Sequence, residues 1–340
     1  YCHLGAFALL AEMGITPGMI VGSSMGAMLG LFRAESKVYD PTATALALPR
    51  PSEFGKAFTP YRGHSRFGFP GTIELRARRV GTEIFKTLVG RDVPTIRELA
   101  IPYRPIVTGL RSGMGFAISD VERQIAKAGA QRSPLATQRR AQLFFGVVRT
   151  MLENPRFLTE LVFGSEPGTE DFSTVDAMGF SVAVPGVIHY DLFTEHDPSA
   201  RVMQTLFDRH QLFRVTDGGI VSNVACKAAW ECVQRGEIET RNAFILGFDA
   251  FAPVLNLNAM FMPVQQLVRR NVAYNKPYSD HLIAYRQPPS PVKLLRTFEV
   301  LQQVIARTRA QLEAERPFIE AMMRPIPRWA VLENRAVGPA

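Results

Sequence analysis

The stretch that decides the fold is VGSSMGAMLG, which runs from Val21 to Gly30. It follows a short apolar run, Pro17–Val21, which predicts a buried strand, and it leads into a segment with helical spacing. The Gly-x-Ser-x-Gly pattern centred on Ser24 is typical of a sharp strand-to-helix turn that holds its serine in strained backbone geometry. Ala27 and Gly30 are small enough to keep the following helix close to the sheet.

Ser24 in such a turn is a candidate nucleophile. Gly22 and Gly26 leave room where a side chain would collide, and the N–H of Met25, the residue after the serine, is a candidate oxyanion donor. The positive end of the following helix also points at the serine and favours developing negative charge there. The alternative is a glycine-rich turn with no chemistry, so a second motif is needed to support the catalytic interpretation.

A serine hydroxyl is a weak nucleophile until a base accepts its proton. A candidate base is Asp217, which ends an apolar strand and precedes Gly218, Gly219 and a helix predicted over Val224–Gln234. The two glycines allow the carboxylate to approach another backbone closely, and partial burial would raise its pKa and make it a better base. The six histidines are scattered through turns and polar stretches, and none is placed like a triad member: His3, His64, His189, His196, His210 and His281.

With Ser24 and Asp217 together, the chain resembles the patatin-like phospholipase family, lipid acyl hydrolases that use a Ser-Asp dyad and no histidine. The resemblance implies that Ser24 and Asp217 are catalytic. It also implies that Met25, Gly22 and Gly26 shape the side of the site that binds the oxyanion. Gly218 and Gly219 would support the base loop, which is the turn Asp217–Gly219. It implies cleavage of phospholipid or other lipid esters through an acyl-enzyme, with no metal or organic cofactor. Further stretches keep the family's order along the chain: the helix from Gly5 to Gly14, the strand Ile101–Leu110, a second strand Gly113–Ser119, the helix and Pro-Gly turn of Ala177–Val187, and the strand Ala243–Asp249.

The alternation of helices and strands, together with this resemblance, predicts an α/β fold: a three-layer sandwich with a mostly parallel central sheet. Residues 1–285 are expected to form the catalytic domain, with a helical insertion at about 119–165. Residues 286–340 are expected to form a connector and a helix that docks along the domain. From the resemblance we expect the family's first strand and glycine-rich oxyanion loop to lie just before Tyr1, outside these 340 residues. The stretch Tyr61–Gly71 predicts a long loop that either lines a substrate mouth or is a surface insertion.

The composition, 46% hydrophobic and 21% charged over 340 residues, excludes a disordered chain, and three cysteines exclude a disulfide framework. No run is apolar enough to predict a membrane-spanning helix. The net charge of +8 includes seven cationic and one acidic side chain between Arg123 and Arg156, a stretch that is either a solvated helix face or a surface for phospholipid. We expect a cytoplasmic protein with a lipid ester substrate and peripheral contact with an anionic membrane. Nucleic acid is disfavoured because this basic segment lacks the interleaved aromatic residues and the recognised motif that nucleic-acid binding would add.

Two rival functions remain open at the level of sequence. One is an α/β-hydrolase esterase with a histidine-containing triad, although its serine turn normally follows several strands, and here the turn comes near Tyr1. The other is a catalytically weak or inactive homologue that binds lipid or acts as a scaffold. The sequence predicts neither the lipid head group, the acyl preference nor the oligomeric state.

Overall fold

The structure is a computed structural model. It describes residues 1–36, 38–113, 120, 123–124, 146–151, 153–194, 196–251, 262–286, 288 and 295–324. The strand expected at Gly113–Ser119 and most of the basic stretch and helical insertion therefore lie outside the described residues. Residues 146–151, at the end of the predicted insertion, are helical.

The helices and strands alternate along the chain. The helices are α1 (His3–Glu12), α2 (Met25–Glu35), α3 (Pro41–Ala47), α4 (Phe54–Ala57), α5 (Ala77–Val89), α6 (Thr174–Ser181), α7 (Pro198–His210), α8 (Cys226–Gln234), α9 (Met262–Asn275), α10 (Phe298–Glu313) and α11 (Arg316–Met323). The strands are β1 (Ile20–Ser23), β2 (Phe58–Pro60), β3 (Ile73–Leu75), β4 (Tyr103–Arg111), β5 (Leu158–Val162), β6 (Ile188–His189), β7 (Leu212–Asp217), β8 (Leu246–Asp249) and β9 (His281–Ala284).

The main sheet is organised around β4. Strand β5 pairs antiparallel along one edge of β4, while β1 and β7 share the other edge, with β1 parallel and β7 antiparallel to β4. Ser23 at the end of β1 pairs with Ile106, and Asp217 at the end of β7 pairs with Val107. Because Ile106 and Val107 are consecutive, the carboxyl ends of β1 and β7 meet head-on in the middle of β4.

Apolar side chains of β4 pack on both faces of the sheet, since successive residues of a strand point to opposite sides. Ile106 belongs to a buried cluster with Ala228 of α8. Val107 belongs to the main core cluster, which also includes Leu29 of α2 and Phe180 of α6. Helices therefore cover the sheet on both faces next to the point where β1 and β7 meet.

The structure confirms the α/β class, but its main sheet is mixed and not mostly parallel. Of the described pairings to β4, one is parallel and two are antiparallel. The predicted helical insertion also ends before residue 165, because Leu158–Val162 is the strand β5. Strand β1 begins at Ile20 and not at Pro17, which cannot donate a hydrogen bond to a neighbouring strand.

The helix predicted near the C-terminus is α10, and it packs against α1. The two helices approach so closely that a Cβ placed on Gly5 would lie 1.9 Å from Oγ1 of Thr308. Strands β8 and β9 form a separate parallel pair, and Ile283 of β9 shares a buried cluster with residues of α1 and α10. Among the described residues, no helix is long and apolar enough to cross a membrane.

Candidate active site

Ser24 lies in the turn between β1 and α2, as the motif predicts. Its backbone has φ 51° and ψ −127°, which side chains with a Cβ rarely adopt, so the turn is strained. Gly22 makes this geometry possible, because a Cβ at that position would lie 2.8 Å from the carbonyl carbon of Gly26. The turn presents the serine side chain at the junction of β1 and β7.

Gly26 does not have the steric role expected for it. A Cβ added there would meet Nε2 of His3 at 3.6 Å, which is an ordinary van der Waals distance. Among the described residues, a Cβ would therefore collide at Gly22, whereas at Gly26 it would make an ordinary contact. The reason is that Gly22 faces the following helix backbone, whereas Gly26 faces the side chain of His3.

Asp217 ends β7 and faces Ser24 across the junction. The Ser24 hydroxyl donates to Oδ2 of Asp217 at 2.6 Å, and the N–H of Gly219 donates to Oδ1 at 2.7 Å. The carboxyl group is 6% exposed. Burial raises its pKa to about 6, although the two hydrogen bonds oppose this shift. A buried carboxylate that holds a serine hydroxyl and titrates near 6 can accept the hydroxyl proton near neutral pH.

The two glycines after Asp217 are required by close packing. A Cβ on Gly218 would lie 2.1 Å from the carbonyl oxygen of Ile106 on β4. A Cβ on Gly219 would lie 2.9 Å from Oδ1 of Asp217. Gly218 thus lets the turn after Asp217 lie directly against the sheet, and Gly219 lies against the Asp217 carboxylate.

Sequence reasoning missed two polar residues that hold this junction. The N–H of Ser24 donates to Oγ of Ser181 at 3.0 Å, and the Ser181 hydroxyl donates to the carbonyl oxygen of Ile106 at 2.6 Å. On β4, the Thr108 hydroxyl donates to the carbonyl oxygen of Asp217 at 2.7 Å. Thr108 could have been noticed as a polar side chain in an apolar strand, but nothing local to Ser181 indicates its partner.

The histidines make their described contacts elsewhere. His189 contacts the carbonyl oxygen of Phe69, His210 contacts Glu166, and His281 contacts Glu315. His3 lies closest to the Ser24 turn through Gly26, and burial lowers its pKa to about 3. No histidine hydrogen-bonds to Ser24 within the described part of the chain, which weighs against a histidine triad.

Donors for an oxyanion are present at the start of α2. Met25 is the first residue of this helix, so its N–H has no acceptor within the helix, and the helix dipole adds positive potential there. The N–H of Ser24 itself is taken up by Ser181. As for metal binding, the described ranges contain no group of three His, Cys, Asp or Glu side chains that could hold an ion.

An apolar cluster adjoins the base loop. Ile220, which directly follows the two glycines, packs in this cluster with Phe69 and Leu267, and all three are buried. Phe69 belongs to the predicted loop Tyr61–Gly71, and its N–H donates to the carbonyl oxygen of Val215 on β7 at 2.7 Å. The loop therefore runs beside the strand that carries Asp217.

Comparison with known proteins identifies the family of the chain. A search of curated proteins gave no match. The model of the family described as patatin-like phospholipase matches residues 1–230, which is more than half of the chain and includes both Ser24 and Asp217. The strained serine turn and the Asp-Gly-Gly loop thus lie within the matched region, and the chain belongs to the patatin-like phospholipase family.

Proposed function

We propose that the protein is a lipid acyl hydrolase in which Ser24 is the nucleophile and Asp217 is the general base. The observation that carries this proposal is the 2.6 Å hydrogen bond from the Ser24 hydroxyl to a buried carboxylate. Membership of the patatin-like phospholipase family supports a lipid ester as the substrate. The contacts of the histidines favour a dyad over a triad.

The reaction proceeds in two halves. Asp217 accepts the hydroxyl proton as Oγ of Ser24 attacks the ester carbonyl, and the tetrahedral intermediate collapses as the protonated Asp217 gives its proton to the departing alcohol. Water then gives a proton to Asp217 and attacks the acyl-enzyme. The fatty acid leaves as Ser24 recovers its proton. The pKa of about 6 suits both halves, because the carboxyl group must release and accept a proton near neutral pH.

The negative charge of the intermediate develops at the start of α2. The N–H of Met25 and the positive end of the helix are the donors proposed for it. Gly22 supports the Ser24 turn, Gly218 brings the base loop against β4, and Gly219 leaves room for the Asp217 carboxylate. Gly26 lies in the first turn of α2 and adds no side chain there.

The acyl chain is proposed to lie toward the apolar cluster of Phe69, Ile220 and Leu267, because this cluster begins directly after the base loop. The net charge of +8 supports peripheral contact with an anionic membrane. A phospholipid and a neutral lipid fit this arrangement equally.

We also propose that residues 1–285 act as one catalytic unit of three layers, with 286–340 as a connector and a docked helix. The helices on both faces of the main sheet support the layered arrangement. The close approach of α10 to Gly5 supports the docking of the C-terminal helix.

The test is ester turnover by Ser24→Ala, with Ser23→Ala as the matched control from the same motif. Fatty acid release should be followed from phosphatidylcholine vesicles, from a triacylglycerol emulsion and from a short soluble ester. We expect Ser24→Ala to lose turnover on every substrate and to fold normally, while Ser23→Ala keeps most of its activity. Full activity of purified Ser24→Ala would end the proposal.

A further inference from the structure

A side chain outside the region that matches the family holds the base loop. Asn271 on α9 donates through Nδ2 to the carbonyl oxygens of Gly219 and Ile220, at 3.1 and 2.9 Å. The family match ends at residue 230, so α9 lies beyond it. An amide nitrogen has two N–H donors, and the two carbonyls account for both of them.

These contacts hold the two peptide units that directly follow the one that binds Asp217. The N–H of Gly219 donates to Oδ1 of Asp217, and the carbonyl group of the same residue accepts from Asn271. Gly219 has no side chain to restrict its backbone, so hydrogen bonds on both sides of its Cα limit its conformation. The N–H of Ser222 donates to the carbonyl oxygen of Gly218 at 3.0 Å, and Asn271 holds the carbonyl group of Gly219. Asn271 therefore helps to hold the backbone of Gly219, whose N–H steadies the carboxylate.

Helix α9 is itself fastened to the helix that follows the base loop. Asn275, one turn after Asn271, is 1% exposed and accepts from the N–H of Lys227 at 3.0 Å. Its Nδ2 donates to the carbonyl oxygen of Asn271 at 3.0 Å. On the side toward the apolar cluster, Leu267 is buried next to Ile220. The base loop is thus held between β4 and an anchored helix.

We infer that Asn271 is a positioning residue for the general base, acting on Asp217 through Gly219. This inference rests on the proposed function, in which Asp217 is the base. A carboxylate that has lost one fixed donor samples orientations away from the Ser24 hydroxyl, so fewer enzyme molecules are ready for proton transfer. We expect the affinity for a short soluble ester to change little, because Asn271 contacts the backbone carbonyl of Ile220, whereas the proposed acyl site is formed by apolar side chains.

The test compares Asn271→Ala and Asn271→Leu with Ala273→Gly. Leucine keeps the approximate size of the side chain without a donor, so it retains the packing where alanine leaves a gap. Ala273 lies on the exposed face of α9, and glycine there weakens the helix without touching the loop. The readouts are kcat and KM for a soluble ester, and amide hydrogen exchange over residues 217–222.

We expect both Asn271 variants to lose about 10- to 100-fold in kcat with KM within about twofold, and to exchange the Gly219 amide at least about tenfold faster. Ala273→Gly should show neither change. Retained kcat in Asn271→Leu, or an equal loss in Ala273→Gly, would overturn the inference. Amide exchange can be measured without turnover, so it separates the inference from the proposed function. If the wild type is inactive and the Asn271 variants still exchange faster, the proposed function fails, whereas the contact between Asn271 and the loop is supported.

Discussion

Replacing Asp217 with asparagine should stabilise the protein at alkaline pH while it removes activity. Asparagine has the same shape, can still accept from the N–H of Gly219, and can donate to the Ser24 hydroxyl. It carries no charge, so it avoids the cost of burying a carboxylate that is 6% exposed. It cannot accept the hydroxyl proton, and turnover should fall by about 10²- to 10⁴-fold.

The magnitude follows from the pKa of Asp217. Burial raises this pKa from the ordinary value of 3.8 to about 6. Because the raised pKa means that the folded state holds the proton more tightly than the unfolded state, protonation of Asp217 stabilises the fold. This stabilisation is fully present below pH 3.8 and is lost as the pH rises through about 6. At about 1.4 kcal/mol per pKa unit, ionisation of Asp217 lowers the free energy of unfolding of the wild type by about 3 kcal/mol between pH 3.8 and pH 8. Asp217→Asn does not ionise, so it avoids this loss.

The assay is urea unfolding of both proteins at pH 8 and at pH 4. Asp217→Asn should exceed the wild type by up to about 3 kcal/mol at pH 8, and the difference should shrink toward zero at pH 4. The control is Asp92→Asn, because the side chain of Asp92 is 90% exposed and its substitution should change stability by less than about 0.5 kcal/mol. Equal destabilisation of Asp217→Asn at both pH values would refute the reasoning.

Three further predictions concern the same junction. The value of kcat/KM should rise with pH, with a midpoint of about 6, and then reach a plateau, so that about one tenth of the plateau value remains at pH 5. A profile that is flat between pH 4.5 and 8 would contradict the role of Asp217. Gly218→Ala should prevent normal folding or remove activity, because its Cβ would lie 2.1 Å from a backbone oxygen. The control is Gly18→Ala, whose Cβ would have no neighbouring atom within 4 Å, so its thermal unfolding and turnover should match the wild type. Ser181→Ala should cost about 1–3 kcal/mol in urea unfolding and lower kcat, because the N–H of Ser24 loses its acceptor; wild-type kcat would show that this contact is dispensable.

The local geometry of both motifs could be predicted because it depends on neighbours in the sequence. An apolar run before Gly22 and helical spacing after Met25 are sufficient to predict a strand, a turn and a helix around Ser24. Two glycines after Asp217 similarly predict a close approach to another backbone. The structure brings these two side chains to hydrogen-bond distance, across 193 positions of the chain.

The direction of the strands could not be predicted in this way. Both β5 and β7 follow long connections, and an apolar strand has the same residue pattern whether its neighbour is parallel or antiparallel. The residues that hold the junction from a distance were also out of reach. Ser181 and Asn271 are separated from their partners by at least 51 positions, and no local pattern marks either one.

The most direct test of the central claim is the rate at which a fluorophosphonate labels the protein at pH 8, with the modified residue mapped by peptide mass spectrometry. If Asp217 activates Ser24, the wild type should carry one adduct, on Ser24, and Asp217→Asn should react at least about 100-fold more slowly. An adduct on another serine, or equally fast labelling of Asp217→Asn, would contradict the account.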